Sequence, residues 1–302
     1  MVFKAPPSQI VIRPPVEAGS VLIAVTGGCN WNLCRFCGTY KGIYGFTQDY
    51  AIRPLEDVLK DIDIYAEKNN HGYPVFLAGG NPTSAPTDYL VKIIEYVRLR
   101  MKNVPRVSCY AKALDILRKT DEELKQLAEA GLDIVYMGLE SGSSKILRIM
   151  KKGTNAESMI KAGKKLLASG IKLSLYIMLG LGGKKLSEEH VKGTARVLTE
   201  VNPTIFRFRT LNILPNTPLW DEWKRGNFEL LSPLECLIEE RDIIANLGEN
   251  VTSQVFNDHV SNYCFLESAN IKTDRDAFIK TLDSYINNPK IKNLSRKNLT
   301  QM

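Results

Sequence analysis

Six short apolar segments alternate with amphipathic helices through the first two thirds of this 302-residue chain. The apolar, β-branched segments predict strands at residues 21–25, 75–78, 106–110, 133–137, 171–179 and 204–210. Helical periodicity fills the intervals, with a capping-box pattern at Thr120 and Glu123 and a helix stop at Gly131. This alternation predicts an α/β fold with a parallel sheet under helices, either an open doubly wound sheet or a partial barrel.

Three glycine-rich or polar segments directly follow predicted strands. They are residues 27–38, residues 79–81 and residues 140–142. Both candidate architectures place functional groups at the carboxyl ends of their strands. We therefore expect the three segments to lie on one face of the fold.

The alternation stops after Leu211, and the remaining segments have mainly helical patterns. The predicted organisation is an N-terminal arm (1–20), a core (21–225), a C-terminal helical layer (226–288) and a basic tail (289–302). The tail carries Lys290, Lys292, Arg296 and Lys297, part of the net charge of +7, and its polar composition predicts a solvated, disordered segment.

The composition excludes some classes of protein. Apolar residues make up 44% and charged residues 24%, which is typical of a globular domain with a sizeable core. The sequence has no apolar run of membrane-spanning length, and its first residues lack the apolar core of a signal peptide. We expect a cytoplasmic protein with reduced cysteines. Nucleic-acid binding is not indicated, because no basic helix with interleaved aromatic residues is present.

Half of the six cysteines lie within nine positions, at Cys29, Cys34 and Cys37. Three close thiolates indicate a zinc or iron–sulfur site, because thiolates are soft ligands. A structural zinc ion normally takes four ligands, and the next candidates, His71 and Cys109, are distant in sequence. Three cysteines suit a four-iron cluster with one open iron better, but a distant fourth ligand keeps zinc open.

Further motifs follow the cysteines in order. Phe36 precedes the third cysteine, Gly79-Gly80-Asn81 follows the second strand, Glu140-Ser141-Gly142 follows the fourth, and residues 177–183 end the fifth. In this order the chain resembles the radical S-adenosylmethionine (SAM) superfamily over roughly residues 20–225. It is most similar to the subgroup of the methylthiotransferases and oxygen-independent coproporphyrinogen dehydrogenases. One departure is that four residues, rather than three, separate Cys29 from Cys34.

The resemblance implies a partial (βα)6 TIM-like barrel with a C-terminal, mainly helical extension. It implies an enzyme that reductively cleaves SAM at a [4Fe-4S] cluster bound by Cys29, Cys34 and Cys37, and that abstracts hydrogen from a substrate. An electron donor such as ferredoxin or flavodoxin would be its partner. The sequence identifies neither the substrate, which could be carried on a protein, nor a catalytic residue.

The resemblance also implies residues that bind the cofactor. Backbone groups of Gly79, Gly80 and Asn81 would hold the methionine amino end of SAM. Glu140 and Ser141 would bind its ribose or amino group. Each assignment has a simpler alternative: a Gly-Asn turn between strand and helix, or, for Glu140, an acid near a helix N-terminus. Phe36 would pack against the adenine or shield the cluster.

Two arginines on the sixth strand give one of its faces a positive charge. Arg207 and Arg209 alternate with Phe206 and Phe208, and inside a barrel that face would be internal. A buried arginine needs an anion, so we expect Arg209 to bind a carboxylate of the cofactor or the substrate. Outward salt bridges to helices are the alternative.

Two other functions stay open at this point. Sulfur insertion of the lipoyl or biotin synthase kind would need a second cluster with ligands from Cys109, Cys236 or Cys264, which otherwise are buried structural thiols. A zinc-stabilised, non-catalytic binding module would keep the fold without the chemistry. Of the three histidines, we expect His71 and His190 at the surface, and His259 in a polar turn or lining a substrate pocket.

Overall fold

The computed structural model describes residues 13–41, 49–68 and 72–296. His71, Lys297, residues 1–12 of the predicted arm and the end of the predicted tail lie outside these ranges. The strands are β1 (Val21–Ala24), β2 (Thr26–Gly27), β3 (Ala51–Ile52), β4 (Val75–Ala78), β5 (Val107–Ala111), β6 (Ile134–Glu140), β7 (Lys172–Leu179), β8 (Ile205–Thr210), β9 (Gln254–Phe256) and β10 (Glu267–Ser268). The six predicted strands correspond to β1, β4, β5, β6, β7 and β8.

The helices fill the intervals between these strands. They are α1 (Leu55–Glu67), α2 (Thr87–Arg100), α3 (Ala113–Arg118), α4 (Asp121–Ala130), α5 (Ser144–Ile149), α6 (Ala156–Ala168), α7 (Ser187–Val201), α8 (Pro218–Lys224), α9 (Pro233–Ala245), α10 (Ile271–Ile286) and α11 (Pro289–Lys292). Short 3-10 turns lie at Pro15–Glu17, Pro82–Ser84 and Lys184–Leu186. The predicted α/β alternation is confirmed.

The chain divides into two compact units. Unit 1 contains Met1–Asn32, Thr39–Met137 and Lys164–Leu173; unit 2 contains Leu33–Gly38, Gly138–Gly163 and Ser174–Met302. The division falls inside the predicted core and inside β6, α6 and β7. The boundaries predicted at residues 20, 225 and 288 stay predictions.

Unit 1 has a parallel sheet in the order β1-β4-β5-β6. The strands β1 and β4 are buried along their whole length, as their continuous apolar runs predict. Helix α1 packs against α2, and α2 packs against α4. Helix α4 begins with the predicted capping box of Thr120 and Glu123 and ends at Gly131, which has a φ of 104°.

Unit 2 contains parallel β7, β8 and β9, with β10 antiparallel to β9. One face of β7 and β8 carries fully buried Leu175, Ile177, Phe206 and Phe208. The other face is partly polar, because side chains alternate along a strand. Helix α9 packs against α7 and α10, so the helices after β8 belong to the same compact unit.

Some predicted boundaries were wrong. Strand β6 continues three residues beyond Met137 and ends at Glu140. Helix α3 was not predicted.

Part of the predicted basic tail is ordered. Residues Pro289–Lys292 form α11, and the Arg296 guanidinium donates to the backbone carbonyls of Leu211 and Leu231. Across the described ranges, no helix is both long and apolar enough to span a membrane.

Candidate functional site

The glycine turn after β4 lies directly against the start of the cysteine loop, residues 29–37. Gly80 N donates to the Gly28 carbonyl at 3.0 Å. A Cβ on Gly80 would overlap that carbonyl and lie 2.9 Å from the Cys29 Cα. Gly79 has a φ of 131°, and a Cβ there would overlap Thr26. Both positions therefore require glycine because the backbone ahead of Cys29 occupies the space of a side chain.

A buried polar network in unit 1 joins the cysteine loop to this turn and to α3. Asn81 Nδ2 donates to Asp115 Oδ2 at 2.5 Å and to Asn30 Oδ1 at 3.1 Å. Asn30 Nδ2 donates to Asp115 Oδ2 at 3.2 Å, and Lys112 Nζ donates to Asn30 Oδ1 at 3.3 Å. The Asn81 side chain is fully buried. The Asn81 amide therefore positions the loop, and the Asn81 carbonyl accepts hydrogen bonds from Ser84.

The extra residue between Cys29 and Cys34 coincides with a left-handed turn. Asn32 has a φ of 46°, a conformation that asparagine adopts more readily than most residues. Leu33 beside it is exposed. The four-residue spacing therefore contains a left-handed residue.

The second half of the cysteine loop is anchored in unit 2. Phe36 is buried in a cluster with Met150, Leu181 and other apolar side chains, and Cys34 and Cys37 pack against that cluster. Arg35 N donates to the Met150 carbonyl at 3.0 Å. The Phe36 ring thus belongs to a hydrophobic core beside the two thiols. Its predicted roles, packing against the adenine or shielding the cluster, stay predictions.

An ion pair lies next to these thiols. Lys152 Nζ is 2.7 Å from Glu140 Oε1, and both side chains are largely buried. Burial by itself lowers the pKa of Lys152, but the Glu140 carboxylate and the Cys34 thiol outweigh burial and raise it. A Cβ on Gly138 would overlap this pair, so Gly138 leaves the room for it. Glu140 itself has a φ of 60°, a strained backbone for a residue other than glycine.

Ser141 points into the interior of unit 2. Its hydroxyl is 2.8 Å from His190 Nδ1 and accepts a hydrogen bond from Ser143 N at 3.1 Å. His190 Nε2 lies 3.9 Å from Glu239 Oε1, and Glu239 Oε2 accepts from Gly180 N at 2.8 Å. The expected surface position of His190 was wrong, because the side chain is fully buried. The predicted contact of Ser141 with the cofactor stays a prediction, and its side chain already has partners inside the protein.

Burial controls the charge of this group. It lowers the pKa of His190 to about 3 and raises the pKa of Glu239 to about 8. Both side chains are therefore uncharged near neutral pH. The Ser141–His190 contact and the hydrogen bond from Gly180 N to Glu239 connect the ends of β6 and β7 to the interior of unit 2.

The remaining predicted residues are also placed. Arg207 and Arg209 lie on the partly polar face of β8, with the aromatic rings of Phe256 and Tyr176 beneath them. His259 lies in a polar turn, its Nδ1 2.7 Å from Ser261 Oγ. Cys109, Cys236 and Cys264 are buried, and burial raises the pKa of Cys109 and of Cys236 to about 12.

The donor set fits a four-iron cluster better than a closed metal site. Cys29, Cys34 and Cys37 are free thiols and partly exposed, as reactive ligands must be. Within the described part of the chain, no three His, Cys, Asp or Glu side chains are grouped as a preformed metal site, and this includes Cys29, Cys34 and Cys37. Three thiolates leave one iron of such a cluster open.

Sequence reasoning missed several supporting residues. Asn30, Asp115 and Lys152 contact the predicted site residues, yet none belongs to a recognised motif. Asp115 follows β5 at the start of α3, the one helix of unit 1 that was not predicted. No sequence pattern indicates a role for Lys152, because a lysine after a short helix is usually a surface residue.

Comparison with known proteins gives a consistent result. The family model described as "Radical SAM superfamily" matches residues 23–198. A tRNA uridine(34) acetyltransferase of Methanocaldococcus infernus is 30% identical over 112 residues, 36% of this chain and 21% of that protein. An uncharacterised protein of Methanocaldococcus jannaschii is 24% identical over 223 residues, 73% of this chain and 68% of that protein. The chain therefore spans about a fifth of the acetyltransferase.

A solved structure shares the fold. It is a radical S-adenosylmethionine methyltransferase from Kitasatospora setae with cobalamin and a [4Fe-4S] cluster bound. The TM-score is 0.54 at 17% identity, covering 67% of this chain and 39% of that chain. At this identity the likeness concerns the fold alone.

Proposed function

Because the chain belongs to the radical SAM superfamily and is a radical SAM enzyme, we propose that it cleaves SAM reductively and abstracts hydrogen from a substrate that is still unidentified. Enzymes of this superfamily use a [4Fe-4S] cluster and SAM, and the structural neighbours are TIM-barrel-like members. When bound, these cofactors supply the electron and the deoxyadenosyl group that takes the hydrogen atom.

The observation that carries the proposal is the contact between the glycine turn and the cysteine loop. Gly80 N donates a hydrogen bond to the carbonyl of Gly28, the residue immediately before Cys29. Both glycines lie within residues 23–198, which match the family model. In this proposal Cys29, Cys34 and Cys37 hold the cluster. The half-exposed thiols can reach a ligand from outside, and the anchored loop limits their movement.

The cofactor-binding set follows from the same placement. Backbone groups of Gly79, Gly80 and Asn81 would hold the amino end of SAM. Glu140, held at the end of β6 by Lys152, would accept hydrogen bonds from the ribose or the amino group. Phe36 and Ser141 are the remaining members of the set, and a carboxylate of the cofactor or of the substrate is the proposed ligand of Arg209.

The direct test is deoxyadenosine formation. Anaerobically reconstituted protein, given SAM and dithionite, should bind about four irons and release deoxyadenosine. Cys34→Ala should lose the cluster and the product, whereas the control Cys236→Ala, at a buried thiol away from the cysteine loop in sequence, should retain both. Fully loaded wild-type protein that never cleaves SAM would contradict the proposal.

The partners follow from the chemistry. A radical SAM enzyme needs a reductant and a substrate. A ferredoxin or flavodoxin in the cytoplasm would serve as the reductant, and the substrate could be carried on a protein. Some relatives are named for tRNA, but this chain covers between about a fifth and about two fifths of their length, so RNA is not proposed as the substrate.

No contact favours the other functions. A second cluster for sulfur insertion would need accessible thiolates, whereas Cys109, Cys236 and Cys264 are buried and Cys264 lies beside Glu240. Replacing all three with serine should leave iron content and SAM cleavage unchanged if they are structural. Membership of an enzyme family argues against a non-catalytic zinc module.

A further inference from the structure

One face of β7 and β8 in unit 2 carries two arginines that differ in their partners. Arg207 is buried; its Nη1 is 2.7 Å from Asp258 Oδ2, and its guanidinium carbon lies 4.2 Å from the centre of the Phe256 ring. The charge of Arg207 is therefore neutralised inside the protein.

Arg209 has no such partner. Its guanidinium carbon lies 4.5 Å from the centre of the Tyr176 ring, and its Nε is buried without an acceptor. No Asp or Glu lies within ion-pair distance of it in residues 13–41, 49–68 and 72–296, which contain every acidic side chain of the sequence. A partly desolvated guanidinium without an anion is unfavourable, and binding an anion removes that penalty.

The position of Arg209 connects it with the cysteine loop. In the register of β7 and β8, Met178 is the partner of Arg209. Met178 packs against the hydrophobic cluster of Phe36, against which Cys34 and Cys37 also pack. Paired strands are about 4.8 Å apart. The guanidinium of Arg209 therefore lies one strand away from Met178, which packs against the same cluster as Cys34 and Cys37.

The loop after β9, residues 257–263, is fixed to the same end of β8. Asn262 Nδ2 donates to the Phe208 carbonyl at 2.8 Å, and Thr210 N donates to Ser261 Oγ at 3.1 Å. Asp258, which neutralises Arg207, belongs to this loop. These bonds hold the neighbourhood of Arg209 rigid before any ligand arrives, which favours binding.

We propose that Arg209 is the receptor for a carboxylate of the substrate, stacked on Tyr176 and without an acidic side chain as its partner in the described part of the chain. This inference rests on the proposed function. A planar guanidinium suits a carboxylate because it can donate two parallel hydrogen bonds. A phosphate would need several cations to bind it, and the charge of the neighbouring Arg207 is already neutralised by Asp258. SAM also has a carboxylate, so the two sources must be separated by experiment.

The test uses cluster-loaded protein with saturating SAM, and propionate as the probe. Propionamide, which has the same shape without charge, is its control at equal ionic strength. Propionate should raise the melting temperature of the wild type more than propionamide does, and Arg209→Met should abolish this difference. Arg209→Lys, which keeps the charge, should retain part of it. Arg148→Met, at an exposed arginine of α5, should behave as the wild type.

Equilibrium binding of SAM and of decarboxylated SAM identifies the source. Unchanged SAM affinity in Arg209→Met, together with the lost propionate effect, supports a substrate carboxylate. A roughly 10- to 100-fold weaker affinity for SAM, with decarboxylated SAM unaffected, assigns the receptor to the cofactor and overturns the substrate assignment. Equal propionate responses in the wild type and Arg209→Met overturn the receptor itself. Deoxyadenosine formation by the wild type is scored separately, so failure of the proposed function remains distinguishable.

Discussion

At the scale of single residues, the site depends on glycines that leave room for other groups. Gly80 admits the Gly28 carbonyl, and Gly138 admits the ion pair of Glu140 and Lys152. Neither glycine needs to contact a cofactor to be essential. A sequence motif that is usually interpreted as ligand binding thus has a packing explanation as well.

Gly80→Ala should destabilise the protein and weaken its hold on iron. The added methyl group overlaps backbone that cannot rotate away, and overpacking of this kind costs about 1–3 kcal/mol. Urea unfolding and iron content after reconstitution measure the two effects. Gly19→Ala is the matched control, because nothing lies within 4 Å of a Cβ there. Equal iron retention in both variants would contradict the close contact with the cysteine loop.

Lys152→Met should make the cluster harder to reduce. The ammonium group of Lys152 is electrostatically coupled to Cys34 and Cys37, and a nearby positive charge stabilises the more negative, reduced cluster. Potentiometry followed by EPR should show a more negative midpoint potential than in the wild type. Lys145→Met removes an exposed charge of α5 and should leave the potential nearly unchanged. A midpoint potential in Lys152→Met equal to that of the wild type would show that the charge of Lys152 does not affect reduction of the cluster.

At the scale of elements, the turn after β4, the cysteine loop and α3 form one hydrogen-bonded assembly. Asn81 and Asp115 connect them through Asn30. The strands fix where the loop begins, but these side chains fix its conformation up to Asn32. The second half of the loop has a separate anchor at Phe36 in unit 2.

Asp115→Leu should loosen this assembly. It leaves the Asn30 amide without its acceptor and removes one of the two acceptors of the Asn81 amide. An unsatisfied buried polar group costs about 1–3 kcal/mol. The loss of iron to a chelator should be faster than in the wild type. Asp88→Leu, at an exposed position of α2, is the control for the loss of a carboxylate. Unchanged iron release in Asp115→Leu would show that the network does not position the loop.

At the scale of the whole molecule, buried titratable groups make stability depend on pH. Burial raises the pKa of Glu239 and of Glu240 to about 8, well above the usual 4.5. The folded state then holds protons that the unfolded state releases, so stability falls as pH rises from about 4.5 to 8. His190, whose pKa falls to about 3, acts oppositely below pH 6.5. The net loss of folding stability with rising pH should be clearest between pH 6.5 and 8.

Glu239→Gln isolates one of these contributions. Glutamine resembles the protonated carboxyl group and still accepts from Gly180 N, so the variant should gain stability over the wild type as pH rises. The gain should grow by roughly 1 kcal/mol per pH unit between pH 5 and 8. Urea unfolding at several pH values measures it. Glu95→Gln, on the exposed surface of α2, should follow the wild type. A constant difference between Glu239→Gln and the wild type would contradict a protonated Glu239.

Much of the fold was predictable because its signals are local. The continuous apolar runs gave β1 and β4, and the capping box gave the start of α4. The end of β6 was not predictable, because Glu140 continues the strand with a strained backbone and its carboxylate pairs with Lys152, twelve positions away. The surface prediction for His190 failed because a polar residue near a helix start is usually exposed, and only tertiary packing against Ser141 and Glu239 buries it.

The sequence by itself determined the α/β alternation, the three close cysteines and the order of motifs that identifies the family. These depend on residue type and spacing, which a chain carries before it folds. The tertiary structure alone decided which side chains hold the cysteine loop and which arginine keeps its charge free. Asn81 meets Asp115, and Arg207 meets Asp258, across 34 and 51 positions of sequence. Pairing over such distances depends on how strands and helices pack, and no local pattern specifies it.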